Sequence, residues 1–286
     1  MFKILKYFLE SLIVYFFFLI GRLIGLKNSR KIFSFIFLNL GPLFKSTNII
    51  NNNLKKFSKN LSVEKKKIII NKMWSNYGMT FIEYIFLDIF RKGKKFVNFE
   101  GENILSNVLK EKKPVIFISG HFANFEIMSM EITKKKINLA TIYRPLNNLF
   151  LNPFMELLRK KYVCKNQIRK GRSGVRDAIH FLNRGFSIAL MIDQRVSEGE
   201  SINLFNHPAL TTTLPAQLAL KYDIKIIPVS IERLNQSGFK ITFNKPVDSK
   251  KFNNKYEITS YLNKELEKMI IKNANEWIWT HNRWKL

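Results

Sequence analysis

One cysteine, Cys164, in 286 residues rules out an internal disulfide and suits a reducing compartment; as a side chain it reads as a small buried apolar residue. The four histidines, His121, His180, His207 and His281, include no pair at close metal-ligand spacing, so no metal site is expected. Acidic residues are also scarce. With 21 Asp and Glu against 48 Lys and Arg, the formal charge is +27, and an anionic partner follows: nucleic acid, phospholipid headgroups or an acidic carrier protein. Abundant Lys, Asn, Ile and Phe are also what an A/T-biased genome encodes, so charge alone does not choose among them. No helix-turn-helix, zinc or RNA-binding signature accompanies the charge, which argues against nucleic acid. Internal repeats are lacking too.

The first 45 residues differ from the rest. Phe8 to Leu26 is almost wholly aliphatic and aromatic, broken by Glu10, Gly21 and Arg22, and a second apolar stretch runs from Ile32 to Phe44. Neither is a clean run of about 20 apolar residues. No small-residue cleavage site follows the first, so an uncleaved membrane anchor fits better than a removed signal peptide. Lys and Arg flank both sides, which leaves open whether the segment crosses the bilayer, lies in its interface, or is a buried helix of a soluble protein.

Residues 46 to 66 read as a polar linker, and residues 65 to 90 carry apolar positions at helical spacing. Beyond them strands and helices alternate: strands at 96–100, 114–119, 138–143, 186–192, 224–233 and 238–247, and helices from 122, at 150–161, 174–183, 214–222 and 258–275. Alternation of this kind predicts an α/β fold with a mostly parallel sheet flanked by helices, as one domain over residues 46–286 behind an N-terminal anchor over 1–45.

Chemistry-bearing residues gather at strand ends. Pro114 to Ser119 runs into Gly120-His121-Phe122-Ala123-Asn124-Phe125-Glu126, which places an imidazole just before a helix and a carboxylate about one turn inside it. With His121 outside the helix, Glu126 can hold one ring nitrogen and leave the other free as a base. The run Phe186 to Ile192 ends in Asp193-Gln194-Arg195, where Asp193 either organises the site or caps the following loop. Tyr143-Arg144-Pro145 ends another strand. Arg169 to Arg176 is a basic, glycine-containing stretch that opens a helix and suits a phosphate or an oxyanion, though a solvated basic turn would look the same. Thr211 to Thr213 reads as a helix cap. The C-terminal Trp277-Ile278-Trp279-Thr280-His281-Asn282-Arg283-Trp284 fits a membrane interface or a core equally.

In this order, the Gly120 to Glu126 segment, Tyr143-Arg144-Pro145, Arg172 to Arg176, Asp193-Gln194 and the Trp277 to Trp284 box resemble the late acyltransferases of lipid A biosynthesis. These form the lauroyl/myristoyl transferase family within the glycerolipid acyltransferase superfamily. Met73 to Gly78 followed by Glu83 resembles the same family upstream of the first core strand. Ala123 and Phe125 depart from its more usual Gly and Trp, and Asn282 from its Arg.

The resemblance implies a bacterial inner-membrane enzyme facing the cytoplasm. Such an enzyme moves a fatty acyl group from acyl carrier protein to a hydroxyl on a hydroxyacyl chain of an anionic lipid A precursor, with no cofactor beyond the acyl donor. It makes His121 the base and Glu126 its orienting carboxylate in an HX4E motif. Arg172 or a nearby backbone N–H is the expected group for the oxyanion, and Asp193 helps organise the site. Asn124, Tyr143, Arg144, Arg169, Arg176 and Gln194 are the expected substrate contacts. Acyl carrier protein, the glycolipid and the membrane surface are the expected partners. A lysophospholipid or glycerol-phosphate acyltransferase would use the same His121 and Glu126, but the tryptophan box argues against it. An inactive scaffold would have no need of His121, Glu126, Arg144 and Asp193 together.

Overall fold

The computed structural model describes residues 2–93, 95–234 and 238–286, and for Arg172 the backbone alone. The chain opens with α1 (Phe2–Phe44), which Gly25 breaks into two segments, φ 78° and ψ 163° being a conformation that glycine alone adopts without strain. The region expected to be a linker contains a helix, α2 (Thr47–Phe57), capped by Ser46 and burying Ile50 and Leu54, one turn apart. Then follow α3 (Val63–Glu83), a 3-10 turn at Tyr84–Phe86, and α4 (Leu87–Lys92).

The α/β core begins with β1 (Val97–Glu100), α5 (Glu102–Glu111), β2 (Ile116–Ser119), α6 (Glu126–Lys134) and β3 (Leu139–Tyr143). It continues through α7 (Asn152–Leu158), which widens into a π turn at Arg159–Val163, then β4 (Asn166–Arg169), α8 (Arg172–Asn183) and β5 (Ser187–Met191). A hairpin of β6 (Glu200–Leu204) and β7 (His207–Thr211) precedes α9 (Leu214–Tyr222), β8 (Ile226–Leu234), β9 (Gly238–Phe243) and α10 (Lys255–Lys272).

The main sheet runs β1-β9-β8-β2-β5-β3-β4 and is parallel at every pairing except β8 with β9. Every residue of β2 is buried, as a central strand covered on both faces requires. The expected α/β architecture with a long apolar N-terminal helix is therefore the observed one.

Register positions the site. In the β2–β5 pairing Ile116 faces Ile188 and Ser119 faces Met191, a constant offset of 72 residues. Carried two residues past both strand ends, the same offset sets His121 against Asp193. The tryptophan box is core: Trp277, Trp279 and Trp284 are buried and pack edge to face. Asn53 of α2 donates to the carbonyls of Trp279 and His281, so the supposed linker supports the site wall.

Candidate active site

Asp193 is 3% exposed and accepts three hydrogen bonds: the His121 ring Nδ1–H at 2.8 Å on Oδ1, and the His121 backbone N–H and Trp277 Nε1–H, both at 2.8 Å, on Oδ2. Burial opposes its charge, but the His121 imidazole and these donors outweigh burial and hold the carboxyl down at about 2. An ionised carboxylate only accepts, so the His121 proton sits on Nδ1, and Nε2 keeps its lone pair. Gly120 makes the approach possible: a Cβ there would lie 2.7 Å from the Phe122 ring and 3.2 Å from Asp193 Oδ2.

Glu126 does not take the place expected of it. It is the first residue of α6 rather than a residue one turn inside, because residues 120–125 form a turn. Ala123 stands at φ 43° in that turn, with its carbonyl accepting from Thr80 Oγ1 at 2.9 Å and from Asn76 Nδ2 at 3.5 Å. From the helix start Glu126 turns to other partners: Oε1 accepts from Arg159 Nε at 2.7 Å and from Tyr84 Oη at 2.6 Å. The orienting carboxylate of the His121 ring is thus Asp193, and Glu126 anchors a buried arginine.

His121 and Glu126 line one cavity of about 650 Å³, a size that suits a small ligand or an alkyl chain. Its apolar walls come from Val14 and Phe18 of α1, from Met73, Tyr77 and Phe81 of α3, and from Met128, Met155 and Leu214. Its polar groups include His121, Glu126, Arg159, Tyr143, Arg144, Gln194 and His281, with Lys45 and Lys170. Arg159 is buried, and its Nη1 has no hydrogen-bond partner among the described residues. His281 Nε2 accepts from the Arg195 backbone N–H at 3.0 Å, and burial lowers its pKa to about 4, so the ring is neutral at pH 7. Burial acts oppositely on Glu276, another lining residue, raising its carboxyl to about 7.

Of the expected substrate contacts, Tyr143, Arg144 and Gln194 reach the cavity. Asn124 does not: it is fully buried, donating to Glu83 Oε2 and accepting from the Glu126 N–H. Arg169 pairs with Glu156 and Tyr143 on the exposed side, and Arg176 is exposed on α8 away from the lining. The Arg172 side chain lies outside the described residues. Thr213 stands at the N-cap of α9 but makes no capping bond; the Thr212 hydroxyl accepts from the Leu214 N–H instead.

Sequence reading missed Arg159, Tyr84 and the clamp behind the His121 loop. In that clamp the fully buried Glu83 holds Asn124, Arg30 of α1 and Arg233 of β8 together. Burial opposes the charge of Glu83, but Arg233 and Arg30 prevail and keep its carboxyl below the usual range. Among the described residues no cluster of His, Cys, Asp and Glu has the makings of a metal site.

Comparison with known proteins gives this geometry a family. Residues 1–286 match the family model described as bacterial lipid A biosynthesis acyltransferase. A lipid A biosynthesis acyltransferase of Haemophilus influenzae is 22% identical over 263 residues, 88% of this chain and 82% of its own length. The lipid A biosynthesis palmitoleoyltransferase of Escherichia coli K12 is 21% identical over 232 residues, 78% of this chain and 74% of its own length. A lipid A biosynthesis acyltransferase of Shigella flexneri matches to the same extent. The chain belongs to the bacterial lipid A biosynthesis acyltransferase family.

Proposed function

We propose that the protein transfers a fatty acyl chain from acyl carrier protein to a hydroxyl of a hydroxyacyl chain on a lipid A precursor, at the cytoplasmic face of the inner membrane. The observation that carries the reading is His121, held from behind by Asp193, on the wall of an apolar-sided cavity. An alcohol is a poor nucleophile toward a thioester unless its proton leaves as the new bond forms. His121 Nε2 takes that proton, and Asp193 stabilises the resulting imidazolium through Nδ1. The acceptor oxygen bonds to the thioester carbon, the tetrahedral intermediate carries an oxyanion, and the carrier thiolate leaves with the proton that His121 returns. Transfer is direct, with no acylated side chain and no cofactor.

Arg172 keeps its expected role toward the oxyanion or an acceptor phosphate. Arg159 is a second cation for the oxyanion, buried on the cavity wall with an Nη1 that has no partner among the described residues, and fixed there by Glu126. Arg144, Lys170 and Lys45 give the cavity cations for a phosphorylated acceptor, and the overall +27 charge suits an acidic carrier.

Purified full-length protein in detergent, given acyl carrier protein donors and a tetra-acylated lipid A precursor, is expected to form the acylated disaccharide. His121→Ala is expected to abolish the product while the protein keeps a cooperative thermal transition, at a somewhat lower temperature because Asp193 loses its ring partner. Transfer only to a lysophospholipid acceptor in the parallel reaction would move the protein to the neighbouring branch of the superfamily. Absence of transfer to either by folded protein would overturn the reading.

A further inference from the structure

Among the described residues α1 is the one helix long and apolar enough to cross a membrane, yet its contacts bind it sideways to the α/β domain. Polar ties occur along the first segment and past the break. Asn148 Nδ2 donates to the Tyr7 carbonyl at 2.8 Å, Tyr15 Oη to the Phe150 carbonyl at 2.8 Å, and Arg22 forms a two-bond pair with Asp88 at 2.8 and 3.0 Å. Beyond Gly25, Arg30 is bound to the buried Glu83 at 2.6 Å. Residue 7 to residue 22 spans roughly 22 Å at ~1.5 Å per residue, and the domain is attached at both ends of that length. Close packing fills the middle, with Phe18 against Phe81 and Phe154. A helix crossing a hydrocarbon core of about 30 Å would have to drag Asn148, Asp88 and the elements that carry them into the core.

The opposite face is bare and apolar. Phe16, Leu19 and Leu23 on the first segment, and Phe35, Leu43 and Phe44 on the second, are each more than half exposed. Lys3, Lys27 and Lys31 stand exposed along the same two segments, and Lys45 stands exposed just past the second. An apolar face bordered by cations complements the outer layer of an anionic leaflet: acyl chains beneath, phosphates above.

From these observations we infer that the protein is monotopic: both segments of α1 lie in the plane of one leaflet, with the α/β domain and both chain ends on the same side. Gly25 is the bend that lets two short in-plane helices follow the surface. Since Val14 and Phe18 belong to the cavity wall, the docked helix also sets the cavity against the leaflet, where an acyl chain enters without passing through water. The inference rests on the membrane location in the proposed function, but its test reads topology rather than transfer.

In full-length protein carrying Cys164→Ser, single cysteines are placed by Lys3→Cys and Lys285→Cys, and a membrane-impermeant maleimide is applied to spheroplasts and to inside-out vesicles of expressing cells. Both ends are expected to label in the same preparation and to be protected in the other. Labelling of one end in each preparation shows a spanning helix and overturns the inference. A bimane at Phe16→Cys, in vesicles of phosphatidylethanolamine and phosphatidylglycerol, is expected to be quenched more by lipids brominated near the headgroup than near the chain end. Quenching strongest at the chain end, or no lipid quenching together with concentration-dependent self-association in detergent, also overturns it, the latter by making this face an interface between copies of the chain.

Discussion

Replacing Asp193 by Asn preserves shape and inverts one hydrogen bond. Two donors, the His121 backbone N–H and Trp277 Nε1–H, converge on Oδ2, so the Asn carbonyl oxygen is held there and its NH2 group is left facing the imidazole. Nδ1 must then accept, the ring proton moves to Nε2, and the base is lost although every atom keeps its place. The same exchange in a Ser-His-Asp enzyme costs about four decades of kcat; here we expect a fall of roughly 10³–10⁴, about 4–5.5 kcal/mol of barrier. Stability falls as well. The Asp193 carboxyl is lowered from 3.8 to about 2 in the fold, so ionisation stabilises the native state by about 2 kcal/mol. That contribution is complete above the unfolded pKa and is lost as pH falls through the folded one; at pH 7 the substitution removes all of it, a fall in Tm of roughly 3–4 °C. The assay is single-turnover transfer from acyl carrier protein alongside calorimetry, with Glu126→Gln in parallel, whose effect should run through Arg159 and Tyr84. If Asp193→Asn keeps kcat within about threefold of wild type while Glu126→Gln abolishes it, Asp193 is not the orienting carboxylate of the working enzyme and the reasoning fails.

Ala123 at φ 43° carries strain of about 1 kcal/mol that glycine would not, offset in part by the greater freedom of an unfolded glycine. Ala123→Gly is therefore expected to leave the midpoint of urea unfolding unchanged or raise stability by up to ~1 kcal/mol, and a clear loss would show the turn to be unstrained. Glu83→Gln leaves Arg30 and Arg233 facing a neutral amide in a buried site and should cost roughly 3 kcal/mol. It should also speed proteolysis within residues 1–44, because Arg30 ties the second segment of α1 to the domain. His281 and Glu276 make opposite linkage terms. Burial drops His281 from 6.5 to about 4, so its contribution is present above 6.5 and lost as pH falls; burial lifts Glu276 from 4.5 to about 7, so its contribution is present below 4.5 and lost as pH rises. Between 4.5 and 6.5 the two proton counts cancel. Glu276→Gln should expose the His281 slope, with stability falling toward acid by roughly 1 kcal/mol per pH unit after discounting partial exposure, and His281→Gln the reverse; two unchanged pH–Tm profiles would refute both.

What the sequence allowed to be read depended on how local each determinant is. The strands that end in His121 and Asp193 are apolar runs with a polar terminus, visible one at a time, and the α/β alternation follows from them. Their partnership lies 72 residues apart in register, and nothing local specifies that β2 lies beside β5. An acid five residues after His121 is therefore the nearer candidate in sequence, although in the fold it bonds to Tyr84 and Arg159. Hydrogen bonds from Asn76 and Thr80 of α3 to the Ala123 carbonyl hold the backbone at Ala123 out of helical conformation, and a sequence window does not contain them. Other misses did leave a trace. Ile50 and Leu54 one turn apart after Ser46 announce α2, and Phe205-Asn206, both at positive φ between two alternating runs, are a two-residue hairpin turn joining β6 to β7. Arg159 left none, since a buried arginine on a π turn looks in sequence like one more cation in the Arg-Lys-Lys run that carries it. Its partner identifies it: a carboxylate that turns from the histidine to a guanidinium fixes a positive charge on the cavity wall, so in the proposed mechanism the acid of the HX4E motif serves the developing oxyanion while Asp193 serves the base.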